Sequence, residues 1–210
     1  MPVDGDQYPV NLIVRGKRCL VVGGGPVAAR KVAGLLACGA EVHVIATVPG
    51  PLLADLPVTI EARPYRRGDL AGYRLVIAAT NDAVVNRAIF EEAEESGTWI
   101  NSADDPASCS FTLPSVVRQG PIMVTVSTGG HSPALAAWLK RRIADTLGPE
   151  YLVLLDVLSA AREDLRASGR STEHADWQSM LDSDMLELIK AGQVNLARER
   201  LQTWLSSSSD

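Results

Sequence analysis

The chain has 210 residues, about 1.4 domains at roughly 150 residues each, with 20 Lys+Arg against 25 Asp+Glu for a net charge of −5. An acidic chain without widespread basic clusters is not a general nucleic-acid binder, and 46% hydrophobic with 21% charged residues excludes wholesale disorder. No apolar run reaches the roughly 20 residues of a membrane span, the acidic N-terminus carries no signal-peptide core, and Cys19, Cys38 and Cys109 are odd in number and far apart, so the expected location is the reducing cytoplasm.

The first part alternates strand and helix patterns. Residues 18–23 form a β-rich run entering three glycines, 27–38 have helical spacing stopped by Gly39, and 41–46 and 57–63 alternate as strands. Residues 74–80 are nearly continuously apolar, as in a strand buried on both faces. A helix over 82–96 follows, capped by Asn81 or Asp82 and stopped by Gly97, then a fifth strand over 98–101. Such alternation with short loops predicts an α/β, Rossmann-like parallel sheet over residues 1–113.

The pattern changes after Asp104. Residues 110–117 and 122–127 are two β-rich runs joined by the turn Arg118-Gln119-Gly120-Pro121. Ser132-Pro133 opens a helix to about 147, with Ser as cap and Pro at its first position. This hairpin and helix, 114–148, read as a dimerisation segment, because one small sheet cannot cover Val116, Val117, Ile122, Val124 and Val126. Residues 149–210 have helical spacing alone (about 151–168, 174–190 and 193–205), with a polar tail over 206–210. Charge is uneven: 10 basic against 13 acidic residues over 1–113, 4 against 2 over 114–150, and 6 against 10 over 151–210.

Gly23-Gly24-Gly25-Pro26-Val27-Ala28 fits G-x-G-x-x-[GA] between a strand and a helix. Gly23 permits the tight turn, Gly25 lets the backbone approach a pyrophosphate, and Ala28 allows close packing of helix on strand. The diphosphate would rest on free N–H groups at the helix start. The second strand ends Val44-Ile45-Ala46-Thr47-Val48 without the usual acid for the ribose, and no Arg follows to claim a 2′-phosphate, so NAD is favoured over NADP. Thr80 and Asn81 lie at the same sheet edge and suit either cofactor contacts or capping of the next helix. Asp104, after the fifth strand, is placed to accept a proton while hydride leaves to NAD, or else belongs to an Asx turn. The loop from Ser127 to Pro133 offers a second anion-receptive helix start, with Lys140, Arg141 and Arg142 further along that helix. The histidines and cysteines show no metal-ligand spacing, so no metal site is expected; Cys109 reads as a packed residue without an evident basic partner.

These motifs carry a family resemblance: Tyr8-Pro9-Val10-Asn11-Leu12, the glycine turn with Arg30-Lys31, Ala78-Ala79-Thr80-Asn81-Asp82, Asn101-Ser102-Ala103-Asp104, Ser110-Phe111-Thr112-Leu113-Pro114-Ser115 and Ser127-Thr128-Gly129-Gly130-His131-Ser132-Pro133. Over residues 8–147 the chain resembles the siroheme-synthase N-terminal family, precorrin-2 dehydrogenases of which some are also sirohydrochlorin ferrochelatases. The resemblance implies an NAD-binding domain, a dimerisation segment and a small helical domain, in a homodimer. It implies oxidation of precorrin-2 to sirohydrochlorin by NAD in siroheme or cobalamin synthesis, with Fe²⁺ or Co²⁺ as further substrates if the chain also chelates. The family's catalytic aspartate falls on Asp104, and its cofactor contacts on Pro26, Val27, Thr47 and Val48. The family also does without the acid after the second strand. For an octacarboxylate tetrapyrrole, Asn101, Arg118, Gly129, Gly130, His131, Ser132 and Lys140 become substrate-binding candidates. Thr128 and His131 depart from the residues common in relatives, and the chain is expected to lack the methyltransferase half of fused members. A non-catalytic NAD-sensing module is the rival from another class; it would bind nucleotide without binding a tetrapyrrole.

Overall fold

A computed structural model describes residues 7–171 and 177–207, which divide into two compact units. The first comprises the chain through Leu113 together with Thr128–Pro133; the second comprises Pro114–Ser127 and the chain from Ala134. The strands and helix expected to form a pairing segment thus group with the helical region, and the glycine-rich loop between them groups with the first unit.

The first unit is built on a five-stranded parallel sheet of β1 (Arg18–Val22), β2 (Glu41–Ile45), β3 (Thr59–Glu61), β4 (Leu75–Ala78) and β5 (Trp99–Ser102), in the order β3-β2-β1-β4-β5. Helix α1 (Pro26–Ala37) connects β1 to β2, the short α2 (Pro51–Ala54) lies between β2 and β3, and α3 (Ala83–Ser96) connects β4 to β5. Alternate side chains feed two cores. Cys19, Val21, Val42, Val44, Leu75 and Ile77 pack with Ala28, Ala29 and Val32 of α1. On the other face Leu20, Val22, Val76, Ala78 and Ile100 pack with Ile89 and Ala93 of α3. Burial on both faces explains the continuous apolar reading of β4. The order reverses between β1 and β4, which is where open α/β sheets bind ligands, outside the carboxyl ends of the strands.

Asp82, not Asn81, caps α3: its carboxylate accepts from the N–H groups of Val84 (2.9 Å) and Val85 (3.2 Å). Gly97, at φ 68°, ends the helix in the left-handed conformation. Near the helix's end Glu92 is buried and bonded to the preceding loop. It accepts from the N–H groups of Gly68 (2.9 Å) and Leu70 (3.0 Å) and from the Tyr65 hydroxyl.

In the second unit β6 (Ser115–Gln119) and β7 (Ile122–Val126) form an antiparallel hairpin. Gly120, at φ 54°, makes its turn, and Leu152 packs against that glycine. The first of these strands begins at 115 rather than 110. Ser110 is tied back to β5 by its N–H to the Ile100 carbonyl (2.9 Å), and its hydroxyl accepts from the Ile100 N–H (2.8 Å); Pro114 offers no ladder donor. Helices α4 (Pro133–Thr146), α5 (Glu150–Ala167), α6 (Trp177–Leu181), α7 (Met185–Lys190) and α8 (Val194–Ser207) follow. Leu154, Val157, Leu165, Met180, Leu188 and Leu201 lie in a core shared by α5, α6, α7 and α8. The single helix expected over 174–190 is two, because the Ser183 hydroxyl donates to the Met180 carbonyl (2.6 Å) and competes with helix continuation. The expected start at 174, with His174, lies outside the described residues, as do positions 208–210 of the expected tail; 206 and 207 extend α8. Among the described residues no helix is long and apolar enough to cross a membrane.

Glu92→Ala strands two backbone donors and a tyrosine hydroxyl. It is expected to lower unfolding free energy by about 2–4 kcal/mol, read as a drop in the urea midpoint with the α/β fold retained by circular dichroism.

Candidate functional site

The carboxyl ends of β1, β2 and β4 meet through their backbones. Gly23, at φ 137°, is the turn residue out of β1, and a Cβ there would sit inside the Ala79 carbonyl beyond β4. A Cβ on Gly24 would run into the Val48 carbonyl and lie 3.1 Å from the Ala46 side chain. The Gly50 N–H donates to the Gly24 carbonyl (2.9 Å), drawing the loop after β2 against the glycine turn. Gly25 differs: nothing lies within 4 Å of where its Cβ would be. It is the N-cap of α1, extended and without a side-chain cap, and Pro26 has no N–H, so the N–H groups of Val27 and Ala28 head the helix. Gly23 and Gly24 therefore serve the fold, and Gly25 presents open backbone to a ligand. Sequence reasoning passed over Gly24 and Gly50, whose role was visible only as excess glycine.

Around this turn, Val27, Thr47 and Val48 are exposed while Ala28 is buried against the sheet. Thr80 is held by the buried Asn86 of α3: its hydroxyl donates to Asn86 Oδ1 (2.7 Å), and Asn86 Nδ2 donates to the Thr80 carbonyl (3.0 Å). With Thr80 engaged and Asp82 capping, Asn81 is the exposed polar residue of this loop. Asn86 was not anticipated; a helical asparagine four residues after a cap gives no spacing signal of its own.

The loop after β5 carries the acid. Ala103 donates its N–H to the Ala78 carbonyl (2.9 Å), so the loop leaves the sheet beside β4. Asp105 is used structurally: it accepts from the Ala107 N–H (3.1 Å) and the buried Ser108 hydroxyl (2.7 Å), capping a turn of 3₁₀ helix at Pro106–Ser108. Asp104 is exposed and has no hydrogen-bond partner among the described residues. The Asx-turn reading thus falls to Asp105, leaving the Asp104 carboxylate available. Asn101 is buried, with Nδ2 donating to the Phe111 carbonyl (3.0 Å), so its amide holds the 109–111 segment to β5. Cys109 Sγ accepts from the Ser102 N–H (3.1 Å), and burial pushes its thiol pKa up, so it is a packed residue. It does have a basic neighbour: Lys31 interacts electrostatically with both Cys109 and Asp104.

The 128–133 loop belongs to the same unit as Asp104. It closes on Thr128, whose carbonyl accepts from the His131 N–H (2.9 Å) and whose hydroxyl accepts from the Ser132 N–H (3.1 Å). Gly129 and Gly130 adopt positive φ (57° and 81°), and His131 is exposed. Arg118 and Lys140 are exposed residues of the second unit. Among the described residues no group of three or more His, Cys, Asp or Glu could hold a metal ion.

Gly23→Ala and Gly24→Ala are each expected to destabilise the protein, seen as a lowered melting temperature. Gly25→Ala, with open space and φ −83°, should melt within a few degrees of wild type.

Residues 10–115 match the family model described as putative NAD(P)-binding, and residues 119–146 match that of the sirohaem biosynthesis protein central region. The siroheme synthase of Nitrosomonas eutropha is 35% identical over 212 residues, covering 98% of this chain and 44% of that protein. That of Nitrosococcus oceani is 38% identical over 207 residues, covering 95% and 44%. The chain thus spans less than half the length of these curated relatives. A solved chain described as SirC, precorrin-2 dehydrogenase, shares the fold with a TM-score of 0.71 at 22% identity, covering 96% of this chain and 98% of that one. The open glycine turn and the parallel sheet behind it are those of the putative NAD(P)-binding family, to which this chain belongs, and a sirohaem-biosynthesis central segment follows them.

Proposed function

We propose that this protein oxidises precorrin-2 to sirohydrochlorin with NAD. The observation that carries the reading is one unit holding both an unobstructed Gly25 backbone at a helix start and an unpartnered Asp104 carboxylate at the carboxyl edge of the same sheet. The similarity to siroheme synthases supplies the substrate class.

The residues fit a dinucleotide. The missing Cβ at Gly25 and the N–H groups of Val27 and Ala28 suit a diphosphate. Exposed Val48 and Thr47 flank the adenosine side, where the absent acid leaves the ribose to backbone and hydroxyl groups, and Asn81 faces the same edge. NAD supplies a two-electron hydride acceptor. The macrocycle gives up one hydride and one proton, and Asp104 takes the proton and passes it to solvent. Thr80 and Asn101 position their loops rather than touch substrate. Gly129, Gly130, His131 and Ser132 offer donors for substrate carboxylates.

The hairpin supports a homodimer: two strands leave both outer edges unpaired, and Val116, Ile122, Val124 and Val126 are only half-buried. The name of the relatives favours a second reading, in which the same chain also inserts Fe²⁺ or Co²⁺ into sirohydrochlorin. The proposed location is the cytoplasm.

Precorrin-2 with NAD is expected to give NADH at 340 nm together with the sirohydrochlorin spectrum. Asp104→Ala should cut kcat by about 10²-fold or more while leaving the KM for NAD unchanged; unaltered turnover removes Asp104 from the reaction. Metal added to the same cuvette, with and without protein, tests chelation. Absence of both NADH formation and tetrapyrrole binding, with NAD still bound, favours the sensing module.

A further inference from the structure

The fold leaves one basic side chain beside Asp104 without an explanation. On α1, Ala28, Ala29 and Val32 are buried against the sheet, so Lys31 falls on the flank of that face, in the row of Ala28 and Leu35. Ala103 and Phe111, on either side of the Asp104 loop, pack on the same apolar cluster as these α1 residues. The helix and the acid-bearing loop are therefore neighbours on one face of the sheet, and Lys31 interacts electrostatically with Asp104 and Cys109.

Several cations of this unit have partners. Arg63 pairs with Asp69, Arg67 with Glu95 and Arg87 with Glu91, and Arg18 lies over the Tyr73 ring. Lys31 is half-buried and makes no hydrogen bond or ion pair among the described residues. Burial, with the neighbouring Arg30, holds its ammonium below the usual lysine range, while Cys109 and Asp104 act weakly in the other direction. A partly desolvated cation with no hydrogen-bonded counter-ion costs free energy that an arriving anion recovers.

We propose that Lys31 anchors the substrate: its ammonium receives one carboxylate of the tetrapyrrole and so sets the reacting edge of the macrocycle beside Asp104. This rests on the dehydrogenase reading above and adds to it a residue that binds and positions rather than one that moves the proton. Asp104 keeps the proton-accepting role given to it above.

The test compares wild type with Lys31→Gln, Lys31→Met (which keeps the apolar stem) and Lys31→Arg. The readouts are precorrin-2 oxidation and a direct absorbance titration with sirohydrochlorin, both under anaerobic conditions. Loss of one charge-assisted contact should raise the tetrapyrrole KM and the sirohydrochlorin Kd about tenfold or more in the Gln and Met variants. The KM for NAD should stay within twofold, and Lys31→Arg should restore most of the binding. Added salt should raise the wild-type Kd more than that of Lys31→Met. A tetrapyrrole KM and Kd unchanged in either neutral variant overturns the proposal, as does an increase confined to NAD. Absence of NADH formation by wild type counts instead against the dehydrogenase reading.

Discussion

The site depends on a contact between backbones. At the carboxyl edge of the sheet, the turn out of β1 lies against the Ala79 carbonyl on one side and the Val48 carbonyl on the other. Side chains at 23 and 24 would wedge these loops apart, so two of the three glycines are consumed in bringing strands to their spacing. The third then faces open space at the head of α1. The same packing bears on the missing ribose acid. The loop after β2 is pulled onto Gly24 by the Gly50 N–H, so its closest approach to the turn is made by backbone, and its side chains Thr47 and Val48 project outward. A ligand here meets main-chain donors and an apolar side chain rather than a second carboxylate.

The polar residues near this edge divide by whether the fold already satisfies them. Asn86 is spent on Thr80, Asn101 on Phe111, Asp82 on the first turn of α3, and Asp105 on Ala107 and Ser108. Each closes a loop or caps a helix start through a backbone or side-chain group of that segment. Asn81, Asp104, Lys31 and the buried Ser102 hydroxyl are left over, and a leftover polar group at a ligand-binding edge is a better guide to chemistry than its residue type. This distinction separates Asp104 from Asp105 although the two are adjacent and identical in kind.

How far the sequence could be read follows from the same division. Periodicity and context gave the parallel sheet, the glycine turn, the hairpin turn and the stop at Gly97, because apolar spacing and special backbone conformations leave direct marks in composition. The break at Ser183 and the late start of β6 left weaker marks: each depends on a serine hydroxyl taking a backbone bond that regular structure would use. Asn101 looked like a substrate contact because it sits at the correct edge, but spacing cannot tell whether an amide turns outward or back to Phe111. Lys31 was legible as part of a motif and not as a neighbour of Asp104, since that relation spans 73 positions and arises from α1 and the β5 loop packing on one apolar cluster.

An exposed acid on a loop is a useful base only if the loop is held, because a carboxylate free to swing loses the advantage of orientation. Asp104 is exposed, yet its chain neighbours on both sides are fastened. Ala103 is bonded to the end of β4, Asp105 caps the following turn, and the Cys109 sulfur returns to the Ser102 N–H at the end of β5. The cysteine explains itself here without any redox or nucleophilic role. A small, soft acceptor fits against a strand end where a bulkier polar side chain would not, and its raised pKa keeps it a neutral thiol. The loop thus resembles a clamp closed by three weak bonds around one free carboxylate. The backbone on both sides of that carboxylate is held by these bonds, and the Lys31 ammonium is its neighbouring charge.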